Sequence, residues 1–207
     1  MAAGADSSRS VEVERKFDAD DGTPLPDWSA LPGVARTDAA EIRELDAAYL
    51  DTVELHLARA GYALRRRTGG PDEGWHLKGP RVGDGRVELG WPLGEKDRVP
   101  EGALAEIAAV TDAVLAPIAR IENLRTAYAL RSADGTLVAE FVDDRVRATD
   151  ARSGIVRTWR EWEVELGPAG PAAADRAAFF HAVEAAVLSA GGRPAASDSK
   201  LARALGY

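Results

Sequence analysis

The chain has no cysteine among its 207 residues. Disulfides and thiolate metal sites are therefore excluded, a composition that suits the cytoplasm. It also lacks any apolar run near the roughly 18 residues that span a bilayer, so no membrane partner is expected. A basic excess is missing too: 26 Lys and Arg stand against 34 Asp and Glu, for a formal charge of −8. Phosphate backbones bind basic surfaces, so nucleic acid is not the expected partner, while a small anion in an internal basic pocket remains compatible. The first ten residues have no apolar centre of the signal-peptide kind, and residues 1–9 read as a loose tail. No internal repeat and no long linker occur, so residues 10–207 read as one domain.

What the chain does have is an unusual placement of charge. Glu12-Val-Glu-Arg-Lys16 sets two acids and a lysine at every second position. Residues two apart on a strand point the same way, so Glu12, Glu14 and Lys16 form one column. Unpaired carboxylates side by side repel, and such a column is either solvated surface or a cation site.

The remaining pattern predicts strands over residues 42–52, 62–68, 74–78, 86–92, 118–131, 137–149 and 158–166, with Gly79-Pro80 ending the third of these. Helical spacing runs through 101–115 and most clearly through 172–190, where Phe179, Phe180, Val183, Val187 and Leu188 share a stripe. A short helical segment follows at 201–205. Trp28 and Leu31 anchor a Pro- and Gly-rich loop over 18–38. About eight strands and two or three helices make an α+β fold on an antiparallel sheet or barrel.

The strands repeat the habit of the first. Arg65 and Arg67 share a face, as do His76 and Lys78, Arg86 and Glu88, and Glu140 and Asp144. Glu161, Glu163 and Glu165 form a column of three, with Trp162, Val164 and Leu166 opposite. If apolar faces turn outward under helices and charged faces inward, the interior holds guanidiniums and carboxylates together. That is costly unless a ligand carries both charges. A polyphosphate with divalent cations does: guanidiniums grip phosphate oxygens in pairs, and clustered carboxylates suit Mg²⁺ or Mn²⁺.

These residues resemble the CYTH domain family, also called triphosphate tunnel metalloenzymes. Glu12-x-Glu14-x-Lys16 matches its N-terminal ExExK signature. The likeness continues in order through Tyr49-Leu-Asp-Thr52, Ala63-Leu-Arg65-Arg-Arg67, Trp75-His-Leu-Lys78, Arg86-x-Glu88, Arg125, Glu140-x-x-x-Asp144, Glu163-x-Glu165 and Ser199-Lys200. The resemblance implies an eight-stranded antiparallel β-barrel closed into a tunnel, with flanking helices, that acts on triphosphates. It implies Glu12, Glu14, Glu163 and Glu165 as metal ligands, with Asp144 added in preference to Asp143. Arg65, Arg67, Lys78, Arg125 and Lys200 would hold the phosphate chain, joined by Arg86, and Lys16 would neutralise substrate charge. Glu161 has the right parity but falls outside the usual pair. His76 is expected in the tunnel wall, with His56 and His181 peripheral.

The leading expectation is hydrolysis of inorganic triphosphate to pyrophosphate and phosphate with two Mg²⁺ or Mn²⁺ ions, Glu163 orienting or deprotonating the attacking water. Class IV adenylyl cyclases usually carry a His-Phe pair shortly upstream of ExExK; here that region is Ser7-Ser-Arg-Ser10. The alternatives are such a cyclase, a thiamine triphosphatase using Trp28, Trp75 or Trp91 at the tunnel mouth, or a non-catalytic polyphosphate-binding module. The sequence leaves the oligomeric state open.

Overall fold

The computed structural model describes residues 7–95 and 98–207. The predicted strands are present, mostly to within a few residues: β1 (Ser8–Glu12), β2 (Glu14–Ala19), β3 (Arg36–Thr37), β4 (Glu41–Asp51), β5 (Ala63–Thr68), β6 (Gly74–Val82), β7 (Gly85–Trp91), β8 (Ala116–Arg131), β9 (Leu137–Asp150), β10 (Val156–Leu166) and β11 (Arg193–Pro194). Among the described residues four helices accompany them: α1 (His56–Arg59), α2 (Glu101–Ile107), α3 (Arg176–Ala190) and α4 (Lys200–Leu205).

The sheet does not close into the expected eight-stranded barrel. The sheet has 11 strands, and its hydrogen-bonded path is open, running β1-β7-β6-β5-β4-β8-β9-β10-β2-β11 with β3 on β8. The expected first strand is two strands, interrupted at Val13. Its first half pairs with β7 and its second half with β10. Val13 is buried, and its carbonyl accepts from the Leu166 amide instead of continuing the β1 ladder. β1, at one end of this path, and β2, next to its other end, are thus joined by one residue of chain, not by a ladder.

Smaller corrections follow from tertiary packing. β1 begins at Ser8, inside the segment read as tail, and residues 1–6 lie outside the described residues. Gly79-Pro80 does not end β6; the pairing to β7 shifts register between Lys78 and Arg81 and the strand runs on to Val82. A register shift absorbs the missing proline donor. α2 stops at Ile107, because Val110 and Leu115 pack on the core from irregular chain.

The two faces of the sheet divide as expected. Trp162, Val164, Phe17 and Phe141 lie under α3, which contributes Phe179, Phe180, Val183 and Val187; Leu188, placed on that stripe, is 51% exposed. Each of these buried side chains stabilises by roughly 1.5–3 kcal/mol before entropy is counted. α3 ends at Gly191 in the left-handed conformation (φ 95°), and at Gly192 a Cβ would stand 2.7 Å from the Trp162 ring. Glycine is needed at both, one for conformation and one for room. A second apolar group, with Leu64, Leu77, Trp75 and Trp91, covers β5–β7 under α2. α4 packs Leu201, Ala204 and Leu205 on Tyr49, Ile118, Ile121 and Val146.

Candidate functional site

The charged columns converge because neighbouring strands bring same-face residues into direct opposition. Glu163 pairs across the ladder with Lys16, Glu165 with Glu14, Arg125 with Asp144, and Lys78 with Glu88. Opposed side chains on one face lie within reach of each other. The result is a cavity of about 100 Å³ lined from β1, β2, β4–β8, β10 and the start of α4. Eleven of the twelve predicted site residues line it: Glu12, Glu14, Lys16, Arg65, Arg67, Lys78, Arg86, Arg125, Glu163, Glu165 and Lys200. The twelfth, Asp144, is fully buried behind them.

Two ion-pair groups fill the interior. In the first, Asp144 takes both Arg125 Nε and Nη2, at 2.8 and 2.7 Å, and Lys200 Nζ at 2.9 Å. Glu163 accepts from Arg125 at 2.9 Å, from Lys200 at 2.7 Å and from Lys16. Glu161 completes this group, 2.5 Å from Lys200. Asp144, Glu161 and Glu163 place ligand atoms within 4.8 Å of one another, so they form a buried acidic cluster around one ammonium. In the second group Lys78 reaches Glu12 at 2.5 Å and Glu88 at 3.2 Å, and Lys16 reaches Glu14 at 3.1 Å.

The electrostatics follow from this arrangement. Burial opposes ionisation of Glu163, but Lys16, Lys200 and Arg125 outweigh it and hold its pKa well below the usual range. Burial likewise opposes the Lys200 charge, and Asp144, Glu161 and Glu163 reverse that. Glu12 is raised by burial against the pull of Lys78. Glu165 differs from all of these. It has no salt bridge among the described residues, and burial, then Glu12, raise it to about 7, with Glu14 and Glu163 adding to the effect. Arg67 is lowered to about 9 by burial, then by Arg65 and Arg125 beside it. Among the described residues, the Nε atoms of Arg65 and Arg67 are buried donors with no partner. Such groups are costly and call for a ligand.

The predicted metal set is therefore split. Asp144 and Glu163 lie with Glu161, while Glu12, Glu14 and Glu165 lie on β1, β2 and the end of β10. Asp143 turns the other way, onto Arg160 and the Trp162 indole. Arg86 gives part of its guanidinium to the carbonyls of Gly79 and Gly61, at 2.6 and 2.9 Å. His76 does not line the cavity; its ring nitrogens lie 2.6 Å from Glu88 Oε1 and 2.9 Å from the Asp72 carbonyl. Trp28, Trp75 and Trp91 all pack in apolar cores, so none offers the aromatic contact at the mouth. Asp51 and Thr52 are spent on structure: Asp51 accepts from the amides of Thr52, Leu57 and Ala58, and Thr52 Oγ1 from that of His56.

Sequence reasoning did not assign Tyr49, Asn123 or Asp72, which line the same cavity. Strand parity could have found Asn123, two residues before Arg125, and Tyr49, at the end of its strand. Asp72 sits in a turn, where no periodicity points.

A CYTH domain model matches residues 10–183 of the chain. The chain belongs to the CYTH domain family. Rv2226, an uncharacterized protein of Mycobacterium tuberculosis, and its counterpart in a second strain are each 40% identical over 215 residues, covering 96% of this CYTH chain. The chain spans only 41% of the length of these relatives. Among solved structures, a candidate adenylate cyclase of Bacillus halodurans superposes with a TM-score of 0.60 at 16% identity, over 94% of this chain and 97% of that one. A protein of Pyrococcus horikoshii gives 0.56 at 15%, over 94% and 98%. A candidate adenylyl cyclase of Hippeastrum, described as having a dominant triphosphatase activity, gives 0.54 at 17%, over 93% of each. At such identities the likeness is one of fold.

Proposed function

We propose that this CYTH protein hydrolyses a triphosphate with the help of a divalent cation, inorganic triphosphate first, yielding pyrophosphate and phosphate. The observation that carries this reading is the pairing of opposites in one buried cavity. Arg65 and Arg67 hold unspent donors, and Glu165 holds a carboxyl with no salt bridge among the described residues. An anion alone would leave Glu165 unanswered, and a cation alone would leave the guanidiniums so. The donor set fits Mg²⁺ or Mn²⁺: Glu12, Glu14, Glu163 and Glu165 are hard oxygen ligands, and Asp144 stands behind them. A bound divalent ion would offset phosphate charge and acidify water.

The chain's own residues would do the rest. Arg65, Arg67, Arg125, Lys78 and Lys200 would hold the three phosphates in line, and Arg86 would give what its two carbonyl bonds leave free. Their charges are fixed before substrate arrives, so they offset charge on the transferred group without reorganising. Water attacks the terminal phosphorus, the bridging P–O bond breaks, and pyrophosphate leaves with that oxygen. Glu163, held ionised by three cations, is a weak proton acceptor and would chiefly orient the water. Lys16 would offset charge beside it. The dominant triphosphatase activity described for the Hippeastrum protein supports this reading over cyclisation.

The test is phosphate release from inorganic triphosphate, thiamine triphosphate, ATP and pyrophosphate, each with Mg²⁺ and with Mn²⁺. Glu14→Gln and Glu163→Gln should stay folded and lose on the order of 100-fold in rate. Wild-type turnover in both variants would refute the mechanism. Cyclic AMP from ATP without phosphate release would assign a cyclase instead, and polyphosphate binding without turnover a binding module.

A further inference from the structure

The turn from β5 to β6 reaches back into the cavity. Gly69 and Gly70 both take φ 79°, and a Cβ on Gly69 would stand 2.0 Å from the Glu44 carbonyl oxygen. One on Gly70 would stand 2.8 Å from Leu45 Cδ2. The turn is thus pressed onto β4 with no side-chain volume between. This places Asp72 over Arg67. The Asp72 carboxylate pairs with Arg67 Nη2, and its carbonyl takes a further bond from the same nitrogen at 3.3 Å. His76 Nε2, at 2.9 Å from that carbonyl, anchors the main chain of the turn. Among the described residues no other carboxylate lies within salt-bridge reach of Arg67.

Asp72 also marks a boundary. A second cavity of about 260 Å³ adjoins the first, and the two share Leu45, Asp72, Arg125 and Glu165. The character of the lining changes across it. On the near side Arg65 and Arg67 keep free donors. On the far side Arg43 is already held by Glu41 at 2.8 Å and Glu140 at 3.0 Å. A phosphate chain that passed Arg67 would meet the carboxylates of Asp72, Glu140 and Glu165, and the guanidiniums there, Arg43 and Arg125, are already held by carboxylates of their own.

Resting on the triphosphatase reading above, we propose that Asp72 is a specificity-determining residue that sets phosphate chain length. Its carboxylate closes the far end of the grip, so that three phosphates are accepted and a fourth is repelled. Discrimination of this kind comes from like charge set against the wrong ligand, not from tighter contact with the right one. Because the Asp72 side chain is 58% exposed, replacing it disturbs the turn little.

The experiment compares kcat/KM for inorganic triphosphate and linear tetraphosphate in wild type, Asp72→Asn and Asp72→Glu, with calorimetric binding of triphosphate to the wild type as reference. Asp72→Asn should raise the tetraphosphate-to-triphosphate ratio by at least about tenfold, while Asp72→Glu keeps it near the wild-type value. Equal melting temperatures would show that neither change acts through folding. A ratio that does not move in Asp72→Asn, with triphosphate still bound and cleaved by wild type, overturns this inference alone. So does a wild type that cleaves both chains equally well. A wild type that neither binds nor cleaves triphosphate overturns the reading beneath it and this inference with it.

Discussion

Glu165 and Arg67 are the two side chains whose charge the ligand-free fold supports least, and both answer to simple tests. A carboxyl whose pKa is raised by folding holds its proton more tightly folded than unfolded. For Glu165, raised to about 7 by burial and then Glu12, that contribution is full below the ordinary carboxylate range. It is lost as pH rises through about 7. In chelator-treated protein, melting temperature should therefore fall from about pH 5 to about pH 8, and Glu165→Gln should flatten that fall. Arg67 is crowded by Arg65 and Arg125 and keeps one donor unpaired. Arg67→Gln should raise the melting temperature of the ligand-free protein by a few degrees and weaken triphosphate binding on the order of tenfold, a trade common where a site stores strain for its ligand. Calorimetry and thermal melts on one preparation read both.

At the scale of elements, α4 matters through its first residue. Lys200 supplies the ammonium shared by Asp144, Glu161 and Glu163. Removing one partner of a buried ionic group leaves uncompensated charge, so Lys200→Met should cost about 3–5 kcal/mol in chemical denaturation without metal. Divalent cation should restore part of that loss. α1 depends likewise on Asp51, whose carboxylate accepts from the Leu57 and Ala58 amides of its first turn and from that of Thr52 before it; Asp51→Ala should cost on the order of 2 kcal/mol without touching the cavity.

These elements also show what the sequence makes legible. Strand period is local and strict, so the inward columns Glu12-Glu14-Lys16, Arg65-Arg67 and Glu161-Glu163-Glu165 could be read before any fold was known. The break at Val13 could not, because it depends on which strands flank it, and those come from β7 and β10. The end of α2 was equally hidden, since Val110 and Leu115 remain apolar and partly buried whether or not the chain is helical there. Asp72 is silent in the sequence for the same reason: its partner is set by how the turn is pressed onto β4.

For the whole molecule, ligand and fold should be coupled. The interior holds far more charge than an apolar core would, and it is offset mainly by internal pairing. Anything that binds the folded form alone stabilises it, so triphosphate with Mg²⁺ at 100 times its dissociation constant should add about 2.7 kcal/mol, or roughly 5–10 °C in melting temperature. No shift with either cation would count against the cavity as the binding site.

The one-residue join at Val13 has a consequence for synthesis. β2 finds its partner in β10, and Lys16 meets Glu163 across 147 positions of chain. β2, made before β10, is thus among the last of these strands to be satisfied. At roughly 5–20 residues per second it waits on the order of 10–30 s for β10 to leave the ribosome. Through that interval β2 has an open edge, and its charged side chains also keep that edge from pairing with another chain. The residues proposed to carry the protein's chemistry would have guarded the nascent chain first.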